Sequence, residues 1–185
     1  MLEIANRIGT LKILIVYASF GDGHRQAALA LKDSFSAIGV GQILLLDLLA
    51  ESHPRLNEFS RFFYMKSYSL WPQVYGWMYD ATRSMKPNSL FSHWLHSIGA
   101  VTLRRLIDRE RPDAVVHTFP LLVLPSISRK GLPRIPMYNV VTDFDLHMRW
   151  VHPKVDKYYV ATEDLRDELA RTGIPIARIA ATGIP

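Results

Sequence analysis

The sequence contains no cysteine, which removes disulfides, thiolate nucleophiles and cysteine-ligated zinc and suits a reducing, cytoplasmic setting. Long hydrophobic runs are also missing. No stretch approaches the roughly 18 uninterrupted apolar residues that a bilayer span requires, so any membrane association is expected to be peripheral. Residues 1–10 lack the apolar core of a secretion signal, and none is expected. The basic residues form no dense run: Lys12, Arg25, Arg61, Lys66, Arg104, Arg105, Arg129 and Lys130 are scattered, unlike a nucleic-acid-binding arm. No nucleic-acid partner is expected. The net charge of +5 and a pI near 9.6 nevertheless favour an anionic partner, such as a phosphorylated substrate or an acidic membrane surface.

Several catalytic signatures are absent too. There is no GxSxG elbow for a serine hydrolase. His24, His117, Asp143 and His147 could in principle ligate a metal, but no spacing such as HExxH is present, and no metal is expected. The glycine loop near residue 21 is followed by no Walker lysine. A dinucleotide fingerprint would need a third glycine or alanine where Gln26 stands, although Asp47 could imitate the ribose-binding acid. A dinucleotide-binding domain is therefore kept as a rival reading, on that loop and Asp47.

What is present is a chain of 185 residues, 49% of them hydrophobic, enough for one domain with a sizeable core. Lys12–Ser19 is a continuous, β-branched apolar run closed by a glycine loop, the pattern of a parallel strand buried on both faces. Ala28, Leu31, Phe35 and Ile38 then recur at helical spacing up to Gly39. Further strands are predicted at Gln42–Leu48, Asp113–Thr118, Ile135–Thr142, Lys157–Ala161 and Arg178–Thr182, mostly separated by helical stretches. This alternation predicts an α/β fold: a Rossmann-like, doubly wound parallel sheet with ligands at the carboxyl ends of its strands.

Ser52–Arg111 is too long for a simple crossover and predicts a helical, aromatic-rich insertion after the second strand. Its second part places Phe91, Trp94, Leu95, Ile98, Val101 and Leu106 on one helical stripe. Its first part sets aromatics, including Trp71 and Trp77, among Arg55, Arg61, Lys66 and Arg83. Such a surface suits a lipid interface, and equally the aromatic core of an insertion.

The loop Gly21-Asp22-Gly23-His24-Arg25 joins the first strand to the first helix. Gly21 and Gly23 let the backbone approach a ligand closely. His24 falls in the first helical turn, where the positive end of the helix dipole favours a neutral ring that can act as a base. His117-Thr118-Phe119-Pro120 and the run Thr142 to Trp150 stand at the ends of two other strands and should face the same edge as the loop. Polar side chains converging from three segments point to a ligand site rather than to loop closure alone.

The blocks YASFGDGHRQAALAL, PDAVVHTFP, VVTDFDLHMRWVHPKVDKYYVA and a terminal TGIP, in this order, make the chain similar to the N-terminal domain of monogalactosyldiacylglycerol synthases and bacterial processive diacylglycerol glucosyltransferases. Two positions depart from the usual pattern: Asp22 in the loop, and Thr118-Phe119 where a proline commonly follows the histidine. The resemblance implies the N-terminal half of a GT-B fold, with residues 1–185 forming the acceptor-binding domain. A C-terminal domain binding most of the UDP-sugar is expected to follow Pro185. It further implies an inverting, metal-free transfer of a hexose from a UDP-sugar to diacylglycerol, with no cofactor beyond that donor substrate. His24 is then the expected base, and Asp143 orients its imidazole or takes the proton itself. His147 and Trp150, carried over from the family block, would shape the acceptor site together with His117 and Thr118. Diacylglycerol and anionic lipids are the implied partners, with Trp71, Trp77, Arg61 and Lys66 as membrane contacts. A non-catalytic lipid- or partner-binding module is the remaining alternative, since it needs only the aromatic segment and the basic charge.

Overall fold

The computed structural model describes residues 2–19, 22–55, 57–58, 99–120 and 134–185. Gly21, Arg61, Lys66, Trp71 and Trp77 lie outside the described residues, as do residues 59–98, most of the insertion expected over Ser52–Arg111. Helix α1 (Leu2–Thr10) precedes strand β1 (Lys12–Tyr17), helix α2 (Asp22–Ala37) and strand β2 (Gln42–Asp47). A short helix α3 (Leu48–Ser52) and, beyond residues 59–98, helix α4 (Ala100–Glu110) follow. Strands β3 (Ala114–His117), β4 (Met137–Val140) and β5 (Lys157–Val160), helix α5 (Glu163–Arg171) and strand β6 (Ile179–Ala181) complete the order.

The six strands form one parallel sheet in the order β2-β1-β3-β4-β5-β6. β1 runs near its centre, and Ile13, Leu14, Ile15 and Val16 are all buried, which is why this segment is apolar at every position rather than at alternate ones. Helices cover both faces. Leu14, Val16, Leu46 and Val115 pack with Leu48, Leu103, Leu165, Leu169 and Trp150 on one side. Ile13, Ile15, Val116 and Val140 face Ala28, Leu31 and Phe35 of α2 on the other. From β1 the chain steps one way to β2 and returns the other way to β3, so the strand order reverses between β1 and β3. That reversal opens a crevice at their carboxyl ends, the ordinary ligand position in such sheets.

Two details of the sequence reading are corrected. Ile38 is exposed rather than part of the buried stripe, because α2 ends at Ala37 and the chain turns through Gly39 in the left-handed region, at φ +85°. The helical stripe expected to run through Val101 is also interrupted. Gly99 precedes α4 at φ +80°, and a side chain there would strike Leu48, with a Cβ only 2.7 Å from its methyl group. Helix α4 therefore starts afresh, burying Leu103 and leaving Val101 exposed. Helix α1 was not anticipated from the sequence at all.

Candidate active site

Three segments meet at the crevice. The first is the amino end of α2, which begins at Asp22 and carries His24 in its first turn; Asp22 itself complements the positive end of the helix. Gly23 has open space where a Cβ would stand. The fold therefore does not require glycine there, and its bareness leaves the helix end accessible. The second segment continues β3, with His117 and Thr118 wholly buried. The Thr118 amide donates to the Val16 carbonyl at 3.0 Å, which holds this strand end beside β1. The third leaves β4 at Val141, whose amide donates to the Tyr159 carbonyl at 2.8 Å.

His24 is held from all three directions. Its Nδ1 lies 2.7 Å from the Thr142 Oγ1. Its backbone carbonyl accepts from the Thr118 hydroxyl at 3.0 Å. Phe119 meets the imidazole edge-to-face with ring centroids 5.0 Å apart, and the Trp150 ring stands 6.2 Å away. Burial lowers the pKa of His24 below its ordinary value of 6.5, and the positive charge of Arg149 pushes the same way. The Asp143 carboxylate and the Thr118 backbone oppose this without reversing it. The result is a ring that stays neutral at neutral pH, as a general base must.

Asp143 acts on His24 by its charge, while its carboxylate is engaged elsewhere: Oδ2 accepts from the Trp150 indole N–H at 2.8 Å. That bond ties together the two ends of the loop from Asp143 to Trp150. Within it, His147 is buried and its Nδ1 accepts from the Arg149 amide at 3.3 Å and from the Arg149 Nε at 3.2 Å. His147 thus caps the short 3-10 turn Met148–Trp150. Trp150 is wholly buried, and its carbonyl accepts from the Asn139 side-chain amide at 3.0 Å. His24, Thr118, Asp143 and Trp150 are therefore brought together, with Thr142 and Phe119 as members the sequence reading did not single out. The only signal for them was their position directly beyond the ends of β4 and β3.

Asp47, the acid of the rival dinucleotide reading, is already committed: its Oδ1 caps α3 by accepting from the Ala50 amide at 3.0 Å. Among the described residues, no three His, Asp or Glu side chains gather closely enough to hold a metal ion. An apolar groove of about 680 Å³ on the α2 side of the sheet, lined in part by Phe35, Val116, Tyr138 and Tyr159, includes none of the expected site residues.

Residues 24–185 match the family described as monogalactosyldiacylglycerol (MGDG) synthase. The chain belongs to this family. It is also 36% identical over 174 residues to a processive diacylglycerol beta-glucosyltransferase of Bacillus cytotoxicus, covering 94% of this chain and 45% of the relative. Proteins of the same name from Bacillus cereus strain B4264 and Bacillus thuringiensis strain Al Hakam are each 35% identical over the same share of both chains. The chain spans about half the length of the curated relatives it matches. The family match begins at His24, so the residue at the centre of the crevice and the loops that hold it all fall within the shared region.

Proposed function

We propose that this chain is the acceptor-binding domain of an inverting glycosyltransferase that moves a hexose from a UDP-sugar to diacylglycerol, forming a glycolipid and UDP. The observation that carries the reading is a neutral, clamped histidine at the crevice of a parallel sheet, in a chain of this family. In an inverting transfer the acceptor hydroxyl attacks the anomeric carbon while UDP departs from the opposite face. A base within about 3 Å of that hydroxyl must remove its proton as the bond forms. His24 takes that role. The open backbone at Gly23 admits the acceptor head group or the sugar phosphate, and Phe119 and Trp150 give the imidazole apolar walls. Contacts to the diphosphate and nucleobase belong mostly to a second domain.

The decisive assay incubates the complete protein with diacylglycerol and a panel of UDP-sugars and follows glycolipid and free UDP. Formation of a glycosyl-diacylglycerol with inverted anomeric configuration is expected. Retention of configuration, or transfer only to water-soluble acceptors, would refute the reading. The 185-residue chain by itself should give no turnover, because the donor contacts are placed in the second domain.

The acceptor stays in the bilayer, so the protein must go to it. Among the described residues no helix is long and apolar enough to cross a membrane. Phe144, next to Asp143 on the rim of the crevice, is 78% exposed and offers an apolar contact at the site itself. Arg61 and Lys66 supply attraction to anionic head groups of roughly 1 kcal/mol per charge near the surface, and Trp71 and Trp77 supply insertion. Co-sedimentation with phosphatidylglycerol-rich vesicles should exceed that with neutral ones and weaken with salt. Ala at positions 71, 77 and 144 together should reduce recovery on both. Equal recovery on all vesicles, unchanged by these substitutions, would assign Trp71 and Trp77 to the protein interior and remove Phe144 as a membrane contact.

A further inference from the structure

The clamp on His24 carries information beyond the identity of the base. A neutral imidazole has one ring nitrogen that donates and one that accepts; a hydroxyl can meet either, so with Nδ1 occupied by one, a base acting through Nε2 requires Nδ1 to be the donor. Here the Thr142 hydroxyl meets Nδ1 at 2.7 Å. Thr142 lies just beyond the carboxyl end of β4, on a chain held to β5 by the neighbouring Val141 amide, so its hydroxyl is presented from a rigid element. On the opposite side Thr118 holds the backbone of the same residue through its own hydroxyl, at 3.0 Å. Ring and main chain are thus fixed by two threonines from two different strand ends, a degree of restraint that packing of a surface histidine does not need.

We infer that Thr142 is the positioning residue of the base: its hydroxyl oxygen accepts from the Nδ1–H of His24, holding the neutral ring in the Nδ1–H tautomer and leaving the Nε2 lone pair for the acceptor hydroxyl. This rests on His24 acting as the base. With Nδ1–H committed to Thr142, the ring cannot rotate about its Cβ–Cγ bond without losing a hydrogen bond in a buried place, so Nε2 keeps one direction. When Nε2 takes the acceptor proton, the imidazolium still donates through Nδ1 to the same oxygen, and the bond strengthens as charge develops. The charged groups around the ring are Asp143, which favours that imidazolium, and Arg149, which disfavours it. Thr142 thus works through His24 and does not itself exchange a proton with substrate.

The test is nitrogen NMR of the full chain with ¹⁵N-labelled histidine, at a pH where His24 is neutral. A pyrrole-type signal for Nδ1 and a pyridine-type signal for Nε2 are expected in the unaltered protein. The reverse pair of signals would overturn the inference, and this arm needs no variant to fold. Thr142→Val, nearly the same shape without the hydroxyl, should collapse the two signals towards the averaged values of exchanging tautomers. Thr142→Ser should preserve them. Unchanged signals in Thr142→Val, with a native-like amide spectrum, would also overturn the proposal. In the complete enzyme the valine variant should lower kcat about tenfold with little change in KM, less than the roughly 10² to 10⁴-fold of losing the base because the imidazole is misdirected and not removed, and the serine variant should recover most of it. The tautomer is read without turnover, so failure of the transfer reaction and failure of this assignment give different results.

Discussion

His24→Ala in the complete enzyme is expected to lower kcat by about 10² to 10⁴-fold, the usual range for loss of a general base, with the fold intact. The expectation of an intact fold comes from position: His24 stands in the first turn of α2, whereas the buried face of that helix is made by Ala27 and Ala28 with Leu31 and Phe35 behind them. Alanine also has a high helix propensity. The same residue sets the pH dependence. Burial and Arg149 depress its pKa, so the active, neutral form persists below the ordinary value of 6.5. The acid limb of kcat/KM should therefore lie below 6.5, with activity lost as pH falls through it, and the limb should vanish in His24→Ala. Rates measured across pH 4.5 to 8 check both statements. A folded alanine variant with near-normal turnover would reduce His24 to a helix-end residue and make Asp143 the leading base.

The sheet was legible because buried parallel strands leave an unmistakable record. Lys12–Tyr17 and Gln42–Asp47 are nearly unbroken apolar runs with turn residues after them, and the predicted strands overrun the observed ones by no more than two residues at either end. At β3 the extra residues have specific employment: the Asp113 carboxylate accepts from the Lys12 amide at 2.8 Å, and Thr118 turns its hydroxyl to His24. Helix α1 was not legible, since a short amphipathic segment gains its stability from packing that local sequence does not encode. The site divides in the same way. Convergence of the glycine loop with the segments at His117 and Asp143 follows from the rule that ligands sit at carboxyl strand ends. The contact of His24 with Thr142 joins residues 118 apart in sequence and depends on strand order, which no local pattern supplies. Asp143 illustrates the limit: its charge acts on His24, but its hydrogen bond goes to Trp150, a partner only visible once the loop between them is folded.

That hydrogen bond makes Trp150 the residue where stability and site geometry are most closely joined, and Trp150→Ala should destabilise the chain by about 3 to 5 kcal/mol, the range for a large aromatic lost from a core. Two observations support a value in this range. The side chain has no solvent exposure and packs in the main core with Leu146, Val151 and Val155. Its indole N–H is a donor to the Asp143 carboxylate at 2.8 Å, so truncation also removes a charge-assisted bond. The Trp150 amide also donates to the His147 carbonyl at 2.9 Å, a backbone bond that alanine retains. Trp150→Phe helps to separate these contributions, because phenylalanine keeps much of the apolar volume and discards the N–H. Its cost should be about 1 to 3 kcal/mol, and the loop end carrying Asp143 should become freer to move. Urea unfolding followed by far-ultraviolet circular dichroism measures both variants without relying on tryptophan fluorescence. In the complete enzyme Trp150→Phe should lower kcat more than its modest loss of stability would suggest, since Asp143 and the wall beside His24 shift together. If the alanine variant unfolded within about 1 kcal/mol of the parent chain, well below the usual range for such a truncation, Trp150 would not be the post that holds the Asp143 loop.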